Sequence, residues 1–204
     1  MQELPQKRKS WNTDKNSSLS DFCSAIYPVS QAVIEYLNDH SFSEKIKRGK
    51  FLLKPGEVCD HFYLINKGLI RAFIREGTKE LSTWISHENE LVTSIRGMAR
   101  RQPSLEYIQA LEDCELTVAH YDVLQHLYST FPEMNIVGRM LLEKYYVDAE
   151  ERAYICRIPS AEKRYKYFIE SRPDLSNRAP LKYIASFLGM TVETISRIRG
   201  RKSI

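Results

Sequence analysis

The chain has 204 residues, a formal net charge of +4, 43% hydrophobic residues and 27% charged residues. These values are typical of a globular protein, and the length allows one or two domains with real cores. No apolar run approaches the roughly 18 residues that a membrane span needs, and the polar N-terminus lacks the apolar centre of a secretory signal. The four cysteines are widely spaced, which favours a reducing cytoplasm over a disulfide scaffold.

The positive charge is concentrated at one end of the chain. From Arg157 onward there are 11 lysines and arginines against 4 acidic residues, a balance of +7, whereas the preceding 156 residues hold 19 against 22, a balance of −3. A localised positive surface is typical of a protein with a polyanionic partner. A solvated basic face would carry the same charge, so the charge alone does not decide between them.

The first 131 residues predict a flexible arm followed by a β domain. Residues 1–20 are polar, which predicts the arm. The helical spacing of Val33, Ile34 and Leu37 predicts a helix within residues 30–48. Between residues 51 and 119, short apolar runs alternate with Lys-Gly and Glu-Gly turns, which are typical of strands and hairpins. We therefore predict a β jelly roll with flanking helices over residues 21–131.

Residues 132–157 predict one long amphipathic helix, about 39 Å in length at 1.5 Å per residue. Such a helix outreaches a small sandwich. A second copy of the chain is the simplest partner, since closed twofold dimers are the commonest assembly. The alternative is a helix that lies along its own domain. The predicted dimer-interface residues are Ile136, Val137, Met140, Leu141, Val147 and Tyr154.

The last region, residues 158–204, has the pattern of a helix-turn-helix. Ser160 is a plausible cap for a first helix, and the polar stretch "DLSNRA" predicts a loop after it. Pro180 suits the first position of the next helix. Gly189 then supplies a sharp turn, and Thr191 can cap the final helix, residues 191–201. The buried face of the helix before the turn is predicted to be Leu181, Ile184, Ala185 and Leu188.

The outer face of the final helix carries groups that can read DNA. Glu193 and Arg197 lie four residues apart on one exposed face. Arginine can donate two hydrogen bonds to guanine, and glutamate can accept one from cytosine N4. An ordinary surface ion pair between the two residues is the alternative. The residues better suited to phosphates are Thr194, Ser196, Arg199, Arg201 and Lys202.

The order of jelly roll, long helix and helix-turn-helix resembles the Crp/Fnr transcription regulators. The resemblance is carried by "KPGEVCDHFYLINKGLIRAFI", whose glycines 56 and 68 match turn positions of the family, and by "YIASFLGMTVETISRIRG". It implies an α+β fold in which Val192, Glu193 and Arg197 occupy the base-reading positions. The first of these is usually arginine, so Val192 implies a different operator. The usual β-hairpin wing is expected to be lacking, as in the short Bacteroidetes-type members.

The resemblance also identifies the place where relatives bind cyclic nucleotides. Those relatives hold the ribose with a Gly-Glu pair and the cyclic phosphate with an Arg-Ser pair. The matching positions here are Thr93-Ser94 and Ser104-Leu105. Because both pairs are replaced, we expect no cyclic AMP binding, and we keep these four residues as the candidate pocket for an unidentified effector.

Cofactor chemistry has little support in the sequence. Cys23 stands alone where oxygen-sensing relatives carry closely spaced cysteines for an iron–sulfur cluster. His61 lacks the second histidine of a cupin metal site, and we find no nucleophile–base pair. We therefore predict no metal, no cofactor and no enzyme activity.

The sequence as a whole predicts a cytoplasmic, homodimeric, sequence-specific regulator that binds a roughly palindromic site on double-stranded DNA. RNA polymerase is a further candidate partner. The alternative is an effector-binding or protein-interaction module with a vestigial helix-turn-helix.

Overall fold

The structure, a computed structural model, describes residues 18–201. Most of the predicted arm, and the predicted phosphate contact Lys202, lie outside the described residues. The prediction of an arm reaching residue 20 is wrong at its end, because helix α1 (Leu19–Ile26) begins there. Ser18 and Asp21 form a reciprocal capping box, and Leu19 is buried. The burial of this first turn starts the folded domain before residue 21.

The predicted helix over 30–48 is also too long. Helix α2 (Gln31–Asp39) ends at His40, and strand β1 (Ser41–Ile46) follows at once. This strand lies at a sheet edge, pairs antiparallel with β8 (Cys114–His120), and has no buried residue. Because an exposed edge strand has no face to bury, residues 41–46 lack the alternation of apolar and polar side chains that predicts a strand.

The β domain is a sandwich of two four-stranded antiparallel sheets within the described residues. One sheet has the order β1-β8-β3-β6 and the other the order β2-β7-β4-β5. Apolar side chains from both sheets fill the space between them. The jelly-roll prediction is confirmed. The remaining elements of this domain are β2 (Phe51–Leu53), β3 (His61–Lys67), β4 (Ile70–Glu76), β5 (Lys79–Ser86), β6 (Leu91–Val92), α3 (Ile95–Arg100), β7 (Tyr107–Ala110), β8 (Cys114–His120) and α4 (Tyr121–Thr130).

Gly68 sets the tight turn between β3 and β4. Its φ of +107° lies in the region that side chains disfavour, and an added Cβ would approach the Cys114 Sγ to 2.6 Å. Glycine is therefore required there both by backbone conformation and by the close approach of β8.

Helix α5 (Pro132–Arg157) has the predicted bounds. Near its start, Met134 and Val137 are buried against α1, α2 and α4, and near its end Ile155 joins the core of the last domain. Its middle is polar on the inner side. There Lys144 pairs with the buried Asp148 at 3.2 Å. The helix thus lies along its own chain at both ends, as the alternative interpretation had it.

The last domain is helical. It contains α6 (Ala161–Ser171), α7 (Pro173–Arg178), α8 (Leu181–Phe187) and α9 (Val192–Arg201). Ser160 caps α6 as predicted, by accepting a hydrogen bond from the Lys163 N–H. The predicted polar loop at residues 174–179 is wrong, because Leu175 is buried and the stretch from Pro173 forms a short helix. Pro180 precedes α8 as its N-cap instead of occupying its first turn.

The helical domain packs directly on the jelly roll, along what we call the interdomain seam. Leu69, Ile85 and Leu111 of the jelly roll share one apolar core with the helices. At one end of the seam, the Ser186 hydroxyl donates to the Glu80 carbonyl at 2.7 Å and accepts from the Ser82 N–H at 2.9 Å.

At the other end of the seam, Arg178 forms two-pronged hydrogen bonds with both Glu88 and Glu112. Burial alone would raise the pKa of Glu88. The hydrogen bonds from Arg178 and from the Gly68 N–H outweigh that effect and hold its pKa at about 2. Helix α7 is thereby fastened to the jelly roll by charge as well as by apolar contact.

Candidate nucleic-acid interface

The helix-turn-helix is built by α8, a glycine turn and α9. Of the four residues predicted to be buried, Ile184, Ala185 and Leu188 are buried, and Leu181 is half-buried against the same core. Gly189 adopts a φ of +61°, which lets the chain turn sharply between the helices. Across the turn, Ile195 and Ile198 bury the inner face of α9. The two helices therefore hold each other, and the outer face of α9 is left to solvent.

The predicted base-reading residues lie on that outer face. Val192, Glu193 and Arg197 are all exposed. A hydrogen bond from the Glu193 backbone N–H lowers the pKa of its carboxyl, with a further bond from the Thr191 side chain and a smaller effect of Arg197. Glu193 is therefore an ionised acceptor at neutral pH, presented in the first turn of α9. The structure thus brings an anionic acceptor and a cationic donor onto one accessible helix face.

The residues predicted to contact phosphates differ in exposure and in the hydrogen bonds that they already make within the chain. Ser196 and Arg201 are exposed. Thr194 is half-buried, and its N–H donates to the capping hydroxyl of Thr191 at 3.2 Å. Arg199 is already engaged, because its Nε donates to the buried Tyr165 hydroxyl at 2.6 Å. Arg199 thus anchors α9 to α6, a role that its sequence position did not reveal.

Helix α5 carries a second exposed surface between residues 142 and 154. Four large apolar side chains are more than half exposed there: Leu142, Tyr146, Val147 and Tyr154. We call this set the α5 apolar face. Of the predicted interface residues it contains Val147 and Tyr154. Val137 is only 1% exposed inside its own chain, so its assignment to a dimer interface is wrong. Ile136, Met140 and Leu141 are half-buried, and Met140 and Leu141 pack partly on the same core as Val137.

Comparisons with known proteins agree with this architecture. Residues 43–131 match the family described as cyclic nucleotide-binding domain. An anaerobic regulatory protein of Aggregatibacter actinomycetemcomitans is 27% identical over 203 residues, covering 92% of this chain and 77% of that protein. The fumarate and nitrate reduction regulatory protein of Vibrio cholerae is 25% identical, with coverages of 92% and 79%. The chain is similar over most of its length to transcription regulators of the Crp/Fnr type. A crystal structure of a Crp/Fnr regulator from Eubacterium rectale superposes with a TM-score of 0.67 at 16% identity, over 85% of this chain and 83% of that one, and shares the fold.

At the positions where the sequence resemblance places the cyclic-nucleotide site, buried polar side chains contact one another. Ser94 and Ser104 are buried, with their hydroxyl oxygens 3.3 Å apart. Thr93 is also buried and donates to the His61 carbonyl at 3.0 Å. Leu105 is 62% exposed, unlike these three buried residues. Three of the four candidate effector residues are thus brought together, and the fourth is not among them.

Sequence reasoning missed Glu106, which lies beside this cluster. Burial raises the pKa of its carboxyl, opposed by hydrogen bonds from Ser94 and Thr83 and by the charge of Arg152. The resemblance places the phosphate-binding arginine of nucleotide-binding relatives at Ser104, and in this chain the carboxyl of Glu106 lies beside that position. A carboxylate beside that position would repel a cyclic phosphate when ionised.

Between residues 18 and 201 no group of three or more His, Cys, Asp and Glu side chains is arranged to hold a metal ion. In the same range, none of the helices combines the length and apolar character required to cross a membrane.

Proposed function

We propose that this chain is a homodimeric transcription regulator that reads a roughly palindromic DNA site through α9. The observation that carries the proposal is the exposed pair of Glu193 and Arg197 on a helix whose inner face is fixed by Ile195 and Ile198. Glu193 would accept from cytosine N4, and Arg197 would donate to guanine O6 and N7. Ser196 and Arg201 would hold phosphates and fix the position of the helix without specifying sequence.

The α5 apolar face supports the homodimer. An apolar surface of this kind, with two tyrosines, a leucine and a valine on one long helix, is costly to leave in water. A second copy of α5 would cover it around a twofold axis. Two recognition helices would then enter successive major grooves about 34 Å apart, which requires a palindromic site.

The jelly roll would serve as a sensor for something other than cyclic AMP. Glu106 and the serine pair support this part of the proposal, because they present a carboxylate and neutral hydroxyls where a cyclic phosphate needs a cation. The protein would act in the cytoplasm by binding, with DNA and RNA polymerase as partners and without catalysis.

Replacement of Arg197 tests base reading directly. Arg197→Ala should cost about 1–3 kcal/mol on the preferred duplex and relax the preference at one base position. Arg201→Ala is the matched control on the same helix. It should weaken binding to all sequences and flatten the salt dependence. Equal losses for Arg197→Ala on preferred and random duplexes would contradict the proposal.

A further inference from the structure

A groove of about 640 Å³ lies between the β4–β5 hairpin of the jelly roll and the helix-turn-helix. Two domains contribute to its walls. Its lining includes Lys79, Glu80, Arg164, Lys182, Thr191 and Thr194. The groove opens beside the N-terminal end of α9, the end that carries Glu193.

The charge of this groove is positive. Lys79 and Lys182 are exposed, and neither has an ion-pair partner among residues 18–201. Arg164 donates to the Leu188 carbonyl at 2.7 Å, and its buried Nε has no partner among the described residues. The one acidic residue of the lining, Glu80, is paired with two arginines outside the lining.

The negative charge of Glu80 is balanced by two arginines and should not repel an anion in the groove. Arg71 approaches it to 2.6 Å and Arg75 to 3.2 Å. Burial alone would raise the pKa of Glu80, and the hydrogen bonds from these arginines more than offset that and lower it. Its negative charge is therefore compensated locally, while the three cations of the groove remain uncompensated.

Two helix N-termini add to the positive potential. Ala161 at the start of α6 and Thr191 at the cap of α9 both line the groove. Helices of 11 and 10 residues begin there, and the first turn of a helix carries a partial positive charge. One N–H of each turn is bonded to its cap, and each turn also carries a glutamate, Glu162 or Glu193, so the three basic side chains supply most of the positive charge. With the cations of Lys79, Arg164 and Lys182, this arrangement matches an anion.

We propose that this groove binds the phosphate backbone of the same duplex whose bases α9 reads, so that Lys79 gives the jelly roll a direct contact with DNA. The inference rests on the proposed function. DNA is favoured over a small anion because the groove shares Thr191 and Thr194 with the end of α9 that would enter a major groove about 12 Å wide, with phosphates along both edges. A lysine placed beside that edge fixes register without reading bases.

The salt dependence of DNA binding tests the inference. Lys79→Ala should reduce the slope of log K against log salt concentration by about 0.9 for each protomer bound, and Lys79→Arg should restore it. Lys45→Ala is the matched control. Lys45 is an exposed lysine of β1 in the opposite sheet, paired loosely with Glu115 at 3.6 Å, and its loss should leave the slope unchanged. The measurement is made on a preferred duplex and on a random duplex, since a phosphate contact acts on both.

Neutral phosphate replacement locates the contact. Duplexes with methylphosphonate at single flanking positions should lower the affinity of the wild type at one position, and the same change should have no effect on Lys79→Ala. A slope for Lys79→Ala equal to that of the wild type would overturn the inference. Added inorganic phosphate that binds to the wild type but not to Lys79→Ala, and that leaves DNA binding unchanged, would also overturn it. If Arg197→Ala still lost sequence preference in that case, the proposed function would stand without the groove.

Discussion

Arg178→Ala should loosen the interdomain seam and change how stability depends on pH. The pKa of Glu88 is held at about 2 from an ordinary value of 4.5. At 1.36 kcal/mol per pKa unit, this shift corresponds to about 3 kcal/mol, to which the hydrogen bonds from the Gly68 and Glu88 N–H groups contribute beside Arg178. The Arg178 side chain is 34% exposed and that of Glu88 22% exposed, so water screens the pair. We therefore expect a loss of about 1–2 kcal/mol at pH 7.

The sign of the pH effect follows from the lowered pKa. Because the folded-state pKa lies below the unfolded-state value, the Glu88 carboxylate contributes stability above pH 4.5 and loses it as the pH falls towards about 2. The free-energy gap between wild type and Arg178→Ala should therefore shrink across that window.

Urea unfolding at several pH values measures this gap. Lys47→Ala is the control: it removes an exposed ion pair with Asp113, at 2.8 Å, which water screens more strongly, so it should destabilise the protein less than Arg178→Ala does. A gap between wild type and Arg178→Ala that stays constant from pH 7 to pH 2 would show that the Glu88 charge does not stabilise the seam.

Two further predictions concern the α5 apolar face and the sensor site. Tyr146→Glu should convert the dimer to a monomer, because it places a charge where apolar side chains meet. The monomer should no longer bind a palindrome tightly. Analytical ultracentrifugation measures the first effect and a gel-shift assay the second. Glu143→Gln, an exposed change beside that face, is its control, and a dimer of unchanged strength in Tyr146→Glu would exclude this interface. Calorimetric titration should detect no cyclic AMP binding at micromolar concentration, and a micromolar or tighter dissociation constant would contradict our interpretation of Glu106 and the serine pair.

Local patterns predicted the parts of the fold that depend on local physics. The bounds of α5 follow from Pro132 at its first turn and Pro159 just after it. The turn at Gly189 and the cap at Thr191 follow from conformations that few other residues adopt or support. The exposure of Glu193 and Arg197 follows from the helical period of Ile195 and Ile198.

Contacts between distant residues could not be predicted in this way. Glu88 and Arg178 are 90 residues apart, and nothing near either one indicates that they meet. The same holds for Arg199 and Tyr165. Because the Arg199 Nε donates to the Tyr165 hydroxyl, this arginine is not fully free to contact a phosphate. Val137 was assigned to the dimer interface because helical spacing shows that a face is apolar without showing which neighbour covers it. Glu106 was missed because its burial depends on the packing of elements far apart in the chain.

Selection of bound sequences from random duplex DNA, with purified protein and no added ligand, tests the central claim most directly. We predict enrichment of a palindrome whose half-sites are separated by about one helical turn, with a preference at one position that disappears in Arg197→Ala. Recovery of unselected sequences by the wild type, both without ligand and with cell metabolites added, would contradict the assignment of Glu193 and Arg197 as base-reading residues.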